Sequence, residues 1–381
     1  MGCGSPDTDG RPRQSTRDSS GVEIVTNPGA DSQLEWSIHR VLRLGDALGG
    51  PETNFFNLTP YSVAPGPDGT ILVLNRGNYR VVVFSNDGRV LRSFGRQGKG
   101  PGEMQNPVSI WVDPNQRIHV LDWAGGTLNY DVEGNLFSED TRPVMAVGQR
   151  MKEIPSGLVH TFSVGWRSDT LLIEQVRIAE ATDTAVLTEW KKLPTTTIKH
   201  PTCPLEVGYA PVFEPELLWD ANDNFVVVLA DYSYRLDVFG SKGTLVRSVR
   251  RRIDPRQTTR EDALRELGPE PGMTFPATEK APGMRCRWAP ESLLDERGYY
   301  PLLQALDGLA LSPDGHIWAR RLEPGDAPGP IDVFAPDGFY LGSLPPGTPF
   351  PNAFLDSTHY MTIEADELDV EYVSVYEVQS E

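Results

Sequence analysis

Residues 91–116, LRSFGRQGKGPGEMQNPVSIWVDPNQ, repeat in outline what residues 42–69, LRLGDALGGPETNFFNLTPYSVAPGPDG, have already spelled. Each stretch opens on Leu-Arg, passes a Gly-Pro step followed by Glu, and reaches a proline that introduces an apolar run. Pro60 and Pro107 stand 47 residues apart. A period of that size belongs to propellers and solenoids rather than to a mixed domain.

Further copies emerge from one landmark, the turn after each first strand. It reads APGPDGTILVL around Asp68, VDPNQRIHVL around Asn115, GWRSDTLLI around Ser168, WDANDNFVVVL around Asn222, LSPDGHIWA around Asp314 and EADELDVEYV around Ala365. Within the units, RVVVFSNDGRVL, LNYDVEGNLF, RLDVFGSKGTLV and PIDVFAPDGFYL place alternating apolar residues on either side of Asp-Gly-like turns, the mark of antiparallel hairpins. Six units of about four short strands predict an all-β, six-bladed β-propeller. After Ala365 only 16 residues remain, too few for three strands. The stretch LEWSIHRVLRL, 34–44, is therefore expected to supply the missing outer strand of the last blade and remove an open edge.

The Gly95–Gly102 loop must carry the chain from the outer strand of one blade to the inner strand of the next. Its glycines supply the positive-φ reversals, and Met104, like Phe55 in the matching loop, is expected to drop between blades. A phosphate loop is the competing reading of GRQGKGPG, but the Gly-Lys-Ser/Thr ending and following helix are absent.

Composition narrows the function. With Lys+Arg 35 against Asp+Glu 53, the formal charge of -18 repels nucleic acid and anionic lipid surfaces, so no nucleic-acid partner is expected. Residues 1–33 are mostly small and polar with one apolar patch, Val22 to Val25, and read as a flexible tether ahead of a propeller spanning 34–381. Met1-Gly2-Cys3-Gly4 resembles the end of a bacterial lipoprotein signal, which would make Cys3 the lipid-bearing residue, attach the protein to the membrane and place it in the cell envelope. The competing reading is an ordinary terminus with a free thiol. If Cys3 carries lipid, Cys203 and Cys286 are an even pair able to form a disulfide in an oxidising compartment; the competing reading is two unrelated thiols. A monomer is expected.

The spacing between the fourth and fifth landmarks is long because residues 251–302 form an insertion between blades four and five. Thr258 and Glu261 suggest a capping box, Leu264 and Leu267 an apolar edge and Gly268 a stop, so a short helix is expected, able to cover the channel mouth or simply to decorate the surface.

The loop Gly98-Lys99-Gly100-Pro101-Gly102-Glu103-Met104, with Asn106-Pro107, Val112-Asp113, Ile118 to Asp122 and Asn78-Tyr79-Arg80, resembles the NHL-repeat family and related six-bladed propellers of bacterial secreted or lipid-anchored proteins. The resemblance implies a central channel. It leaves activity open, because such propellers include sugar lactonases, lyases and pure binding scaffolds. The lactonase-like relatives hold a metal with Glu, Asn and Asp, a set not matched here residue by residue.

In a propeller, residues just before each inner strand face the channel mouth. Those positions point to Asn106, His160, Glu214, Glu216, Asp307 and His359 as ligand-binding candidates. His160, Glu214, Asp307 and His359 would suit a divalent cation, calcium or zinc, if they converge; the competing reading is that they cap strand ends and bind channel water. Arg80 and Arg235 occupy equivalent places in NYRVVVF and SYRLDVF and read as inter-blade bonds to carbonyls. No Gly-x-Ser-x-Gly elbow, zinc-type Cys pair or dinucleotide fingerprint occurs. The favoured expectation is a scaffold binding a peptide, glycan or small molecule at the channel mouth without catalysis. The alternative is a metal-dependent hydrolase or lyase at the same place.

Overall fold

The computed structural model describes residues 14–18, 20–140, 147–164, 172–179, 183–199, 206–275, 284–323 and 328–380. Six antiparallel sheets stand around one axis. Their inner strands are Val63–Pro65, Pro107–Val112, Val147–Ile154, Trp219–Ala221, Leu306–Leu311 and Ala353–Phe354, for blades one to six. The six-bladed propeller expected from the repeats is the observed fold.

The second and third strands explain why the chain is so rich in valine. In Ile71–Asn75 and in Val81 to Phe84 every residue is buried, because a neighbouring blade covers each face of the sheet. The period-two pattern therefore blurs in mid-blade and returns only at the rim, as in Val90–Phe94, which is half exposed. The apolar core is divided among the blade interfaces. Leu72, Val81 and Met104 pack with Ile110, Val120 and Leu128 between blades one and two, while Leu44, Phe55 and Val82 pack with Met361 and Val373 between blades six and one. Met104 is 0% and Phe55 2% exposed, as the matching loops predicted. Gly95 and Gly102 adopt φ of 88° and 72° in that loop, and a Cβ on Gly95 would lie 2.7 Å from the Met104 methyl.

The ring closes as expected. Ser37–Leu44 pairs antiparallel with Glu371–Gln379, with Ile38 opposite Val378 and Leu44 opposite Val373, and completes blade six. Two landmarks, however, fall one turn late. The second strands of blades three and six are Gly157–Val164 and His359–Ala365, so the inner strand of blade three is Val147–Ile154 and that of blade six is the two-residue Ala353–Phe354. The first hairpins of these blades turn at Pro155-Ser156 and around Asp356, without an Asp-Gly pair to announce them. Ser168 itself lies outside the described residues.

The expected tether is shorter than residues 1–33. Glu23–Asn27 forms a strand parallel to the outer strand of blade four, Leu245–Arg251, and Gln14–Arg17 adds a sixth strand beyond it. The Val22 to Val25 patch thus belongs to the folded body, with Val25 fully buried. From there the chain crosses blade five, where Gln33 bridges Ser343, before reaching the edge of blade six. Glu23 accepts from Arg247 Nε at 2.9 Å, and Asn27 bonds Gly338 O and Tyr340 N at 3.0 and 2.8 Å.

Arg80 and Arg235 are structural but bind carboxylates rather than carbonyls. Arg80 pairs with Glu52 at 2.8 Å, and Arg235 with Asp231 at 3.2 Å and Asp237 at 3.6 Å.

Candidate functional site

The insertion between blades four and five builds the site. Helix α1, Arg260–Leu267, begins one residue later than the sequence suggested: Thr259 Oγ1 accepts from Asp262 N at 3.1 Å, and Asp262 Oδ2 accepts from Thr259 N at 3.0 Å. Asp at the third helical position replaces the expected Glu, being long enough to reach back to the cap. Helix α2, Pro290–Arg297, starts on proline and stops at Gly298. Ala263 of α1 and Leu294 of α2 pack with Val212, and Val212 bridges Tyr299, which seats the insertion on the segment that enters blade four. Cys286 is buried and disulfide-bonded; Cys203, its expected partner, and Cys3 lie outside the described residues.

Between this insertion and the first residues of the inner strands of blades four and five lies a cavity of about 730 Å³. Glu214, Glu216, Asp262, Glu266, Asp307 and Glu323 line it, against Arg256, Arg265 and Arg320. All three arginines are already engaged. Arg320 Nε binds Asp307 at 2.6 Å, and Asp262 takes Arg256 at 3.0 Å and Arg265 at 3.2 Å. Lys192 sits 3.7 Å from Glu214 but is closer to Glu174, at 2.8 Å. Glu216, Glu266 and Glu323 have no cation within 4 Å among the described residues, so the cavity carries an excess of negative charge.

Burial raises the Glu214 carboxyl above its ordinary range, Lys192 only partly opposing it and Glu174 adding to it. Burial raises Asp307 as well, and the Arg320 guanidinium does not fully offset that. Phe213 lines the same wall with φ at 62°, a left-handed conformation that costs a bulky residue on the order of 1–3 kcal/mol.

Three of the six expected residues therefore meet, Glu214, Glu216 and Asp307, and three stand elsewhere. His160 lies on the second strand of blade three, with Nδ1 3.2 Å from Thr161 O, and burial lowers its pKa. His359 opens the second strand of blade six and bonds Asp356 at 3.0 Å. Asn106 is exposed, its backbone N–H donating to the Asp122 carboxylate at 3.0 Å. The four-residue metal set does not converge: among the described residues, no three of His160, Glu214, Asp307 and His359 bring ligand atoms together. Both histidines were misplaced for one reason, the late landmarks in blades three and six.

On the inner strands, Asp220 of blade four accepts from Arg150 and Lys152 of blade three at 3.1 Å each and from Leu311 N of blade five at 2.7 Å. Burial alone would raise this carboxyl, but the two cations and the N–H groups outweigh it and hold it below the usual range. Arg150 also donates to Leu309 O at 3.3 Å, so one side chain ties three blades together.

One set of ligand-type side chains does meet, on the opposite end of the inner strands: Asp113, His119 and Glu153. Asp113 and His119 lie in the repeated VDPNQRIHVL hairpin, but Glu153 comes from the blade whose register was misread.

Residues 66–158 match a family model described as a 6-bladed beta-propeller. No curated protein matches the chain. Among solved structures, a candidate exported protein from Bacteroides fragilis aligns with a TM-score of 0.51 at 11% identity, covering 93% of this chain and 99% of that one. A member of a family of unknown function from Bacteroides vulgatus aligns at 0.49 and 10% identity, covering 92% and 100%. Regucalcin, a calcium-binding protein from Agrobacterium tumefaciens, aligns at 0.38 and 13%, covering 93% and 97%. At such identities the likeness concerns the fold alone.

Proposed function

We propose that this propeller is an extracytoplasmic recognition scaffold that binds a small polar ligand, without catalysis, in the cavity beneath the insertion. The observation that carries the reading is the surplus of carboxylates around an open cavity whose arginines are already paired. Such a lining attracts an amine or guanidinium group, and its remaining oxygens accept from hydroxyls, as on an amino sugar or a basic peptide end. Phe213, held in a strained conformation, offers an apolar face to the same ligand. Among the described residues the lining contains no Ser, Cys or His, and Thr258 donates its hydroxyl to Tyr300 O.

The test is calorimetric titration of the purified chain with amino sugars, basic dipeptides and neutral sugars. A cationic ligand should bind, and Glu214→Gln or Asp307→Asn should each weaken it by about tenfold, the range expected when one partner of a charge-assisted bond is lost. The pH dependence has a definite sign. Because both carboxyls are raised, they protonate at higher pH than ordinary ones, near 4, so affinity should fall as pH falls, beginning above that range. Affinity unchanged in both variants, or preference for an anionic ligand, removes the proposal.

The location is part of the same reading. The B. fragilis neighbour is described as a candidate exported protein, and among the described residues no helix is long and apolar enough to cross a membrane. Lipid on Cys3 would anchor the body to a membrane surface. An alkyne-tagged fatty acid fed to a bacterial host should label the protein and fail to label Cys3→Ser; equal labelling of both excludes Cys3 as the acceptor.

A further inference from the structure

Asp113 closes the first hairpin of blade two, His119 opens the next strand, and Glu153 lies near the end of the inner strand of blade three. Their ligand atoms all fall within 4.8 Å of one another. His119 Nε2 stands 3.4 Å from Asp113 Oδ2 and 4.0 Å from Glu153 Oε2, is buried, and has no hydrogen-bond partner.

The tautomer follows from the other side of the ring. His119 Nδ1 is 2.6 Å from Asn129 Oδ1, and the Asn129 amide is oriented by Nδ2 donating to Ser138 Oγ at 3.0 Å. An oxygen acceptor there requires the proton on Nδ1. The Nε2 lone pair then faces two carboxylates, an arrangement of three electron-rich groups that needs a positive centre among them.

We propose that this centre is a divalent transition-metal cation of the zinc class, bound by His119 Nε2 and by one oxygen each of Asp113 and Glu153. Two zinc bonds of about 2.0–2.1 Å at a tetrahedral angle place their ligand atoms roughly 3.4 Å apart. Asp113 and His119 already have that separation, and a small rotation of Glu153 closes the rest. The imidazole ligand favours zinc over calcium, which prefers an all-oxygen shell.

Each ligand is also braced from behind, the arrangement that fixes ligand orientation in metal sites. Asn129 holds the imidazole. Asn115 N and Arg117 N each donate to Asp113 Oδ1 at 2.8 Å, leaving Oδ2 for the ion. Trp111 Nε1 donates to Glu153 Oε2 at 3.4 Å while its ring stacks on His119 at an interplanar angle of 13°. Since Glu153 belongs to the next blade, the ion would fasten blade two to blade three on the face away from the cavity.

The full chain, stripped with chelator, is titrated with zinc by calorimetry and with Co²⁺ by visible absorption. One zinc per chain and ligand-field bands for bound cobalt are expected, with both lost in His119→Ala and Asn129→Ala weakening zinc by about 10–100-fold. Absence of saturable zinc binding overturns the site. Zinc bound equally by Glu153→Gln overturns it too. Near-UV circular dichroism checks folding, and if His119→Ala does not fold, the half-exposed Glu153→Gln decides the question.

Discussion

Replacing Arg251 with alanine should destabilise the propeller by about 3–5 kcal/mol, the cost of removing one partner from a buried ion pair. The Arg251 side chain is 0% exposed, and so is that of Asp332, which it meets at 2.6 Å. Tyr234 donates to the same carboxylate at 2.7 Å and Ser343 at 2.5 Å, so the network joins blades four and five. The guanidinium also donates to Pro28 O, Gly29 O and Ala30 O, each at 3.1 Å, and to Asp31 at 3.0 Å. These bonds pin the N-terminal segment as it leaves blade four. Burial would lower the Arg251 pKa, but Asp332 outweighs it and the group stays charged. Alanine would therefore leave the buried carboxylate with only Arg321, whose Nε lies 4.0 Å away, and release the segment together. Urea denaturation of Arg251→Ala, Asp332→Ala and the double variant should show the double costing less than the sum. A loss below about 1 kcal/mol for Arg251→Ala would falsify the role assigned to this network.

Deleting residues 1–44 should abolish cooperative folding. The deletion removes the outer strand of blade six, whose seven paired residues cover Val373 to Gln379, together with the Glu23–Asn27 strand on blade four. Leu44 leaves the core between blades six and one, and a long apolar edge containing Tyr376 and Val378 becomes free to pair with other chains. Deletion of residues 1–20, which spares both strands, should shift the midpoint by only a few degrees, within the range of a change near 1 kcal/mol. Thermal unfolding and size-exclusion chromatography separate the two. A monomeric, cooperatively melting chain lacking 1–44 would show that the ring closes without its borrowed strand.

The blades legible in the sequence are those whose first hairpin carries an Asp-Gly turn, blades one and five, an Asp-Asn turn, blade four, or the Asp113-Pro114-Asn115 turn of blade two. That signal is local, since such residues adopt the turn conformation whatever surrounds them. Blade three turns at Pro155-Ser156 and blade six around Asp356, so the first Asp-containing turn the sequence shows in each lies one hairpin later, and His160 and His359 stand on second strands rather than before inner ones. The candidate cavity was half legible, because Glu214 and Glu216 precede, and Asp307 stands near the start of, correctly placed inner strands. Arg256, Asp262 and Arg265 enter it only through the docking of α1 on Val212, a contact made across some fifty residues of chain.

Repetition, turn chemistry and apolar runs were enough, from the amino acids alone, to dictate six blades and a helix in the insertion, because both are written in residues adjacent along the chain, and the closing strand followed from counting the strands left at the two ends of the repeat. Three features came only from the tertiary structure: the parallel docking of Glu23–Asn27 against Leu245–Arg251, the side of the pocket that the insertion supplies, and the meeting of Asp113, His119 and Glu153. Each joins side chains from different blades or distant segments, and such distances are set by how the sheets pack around the axis, which no local pattern encodes.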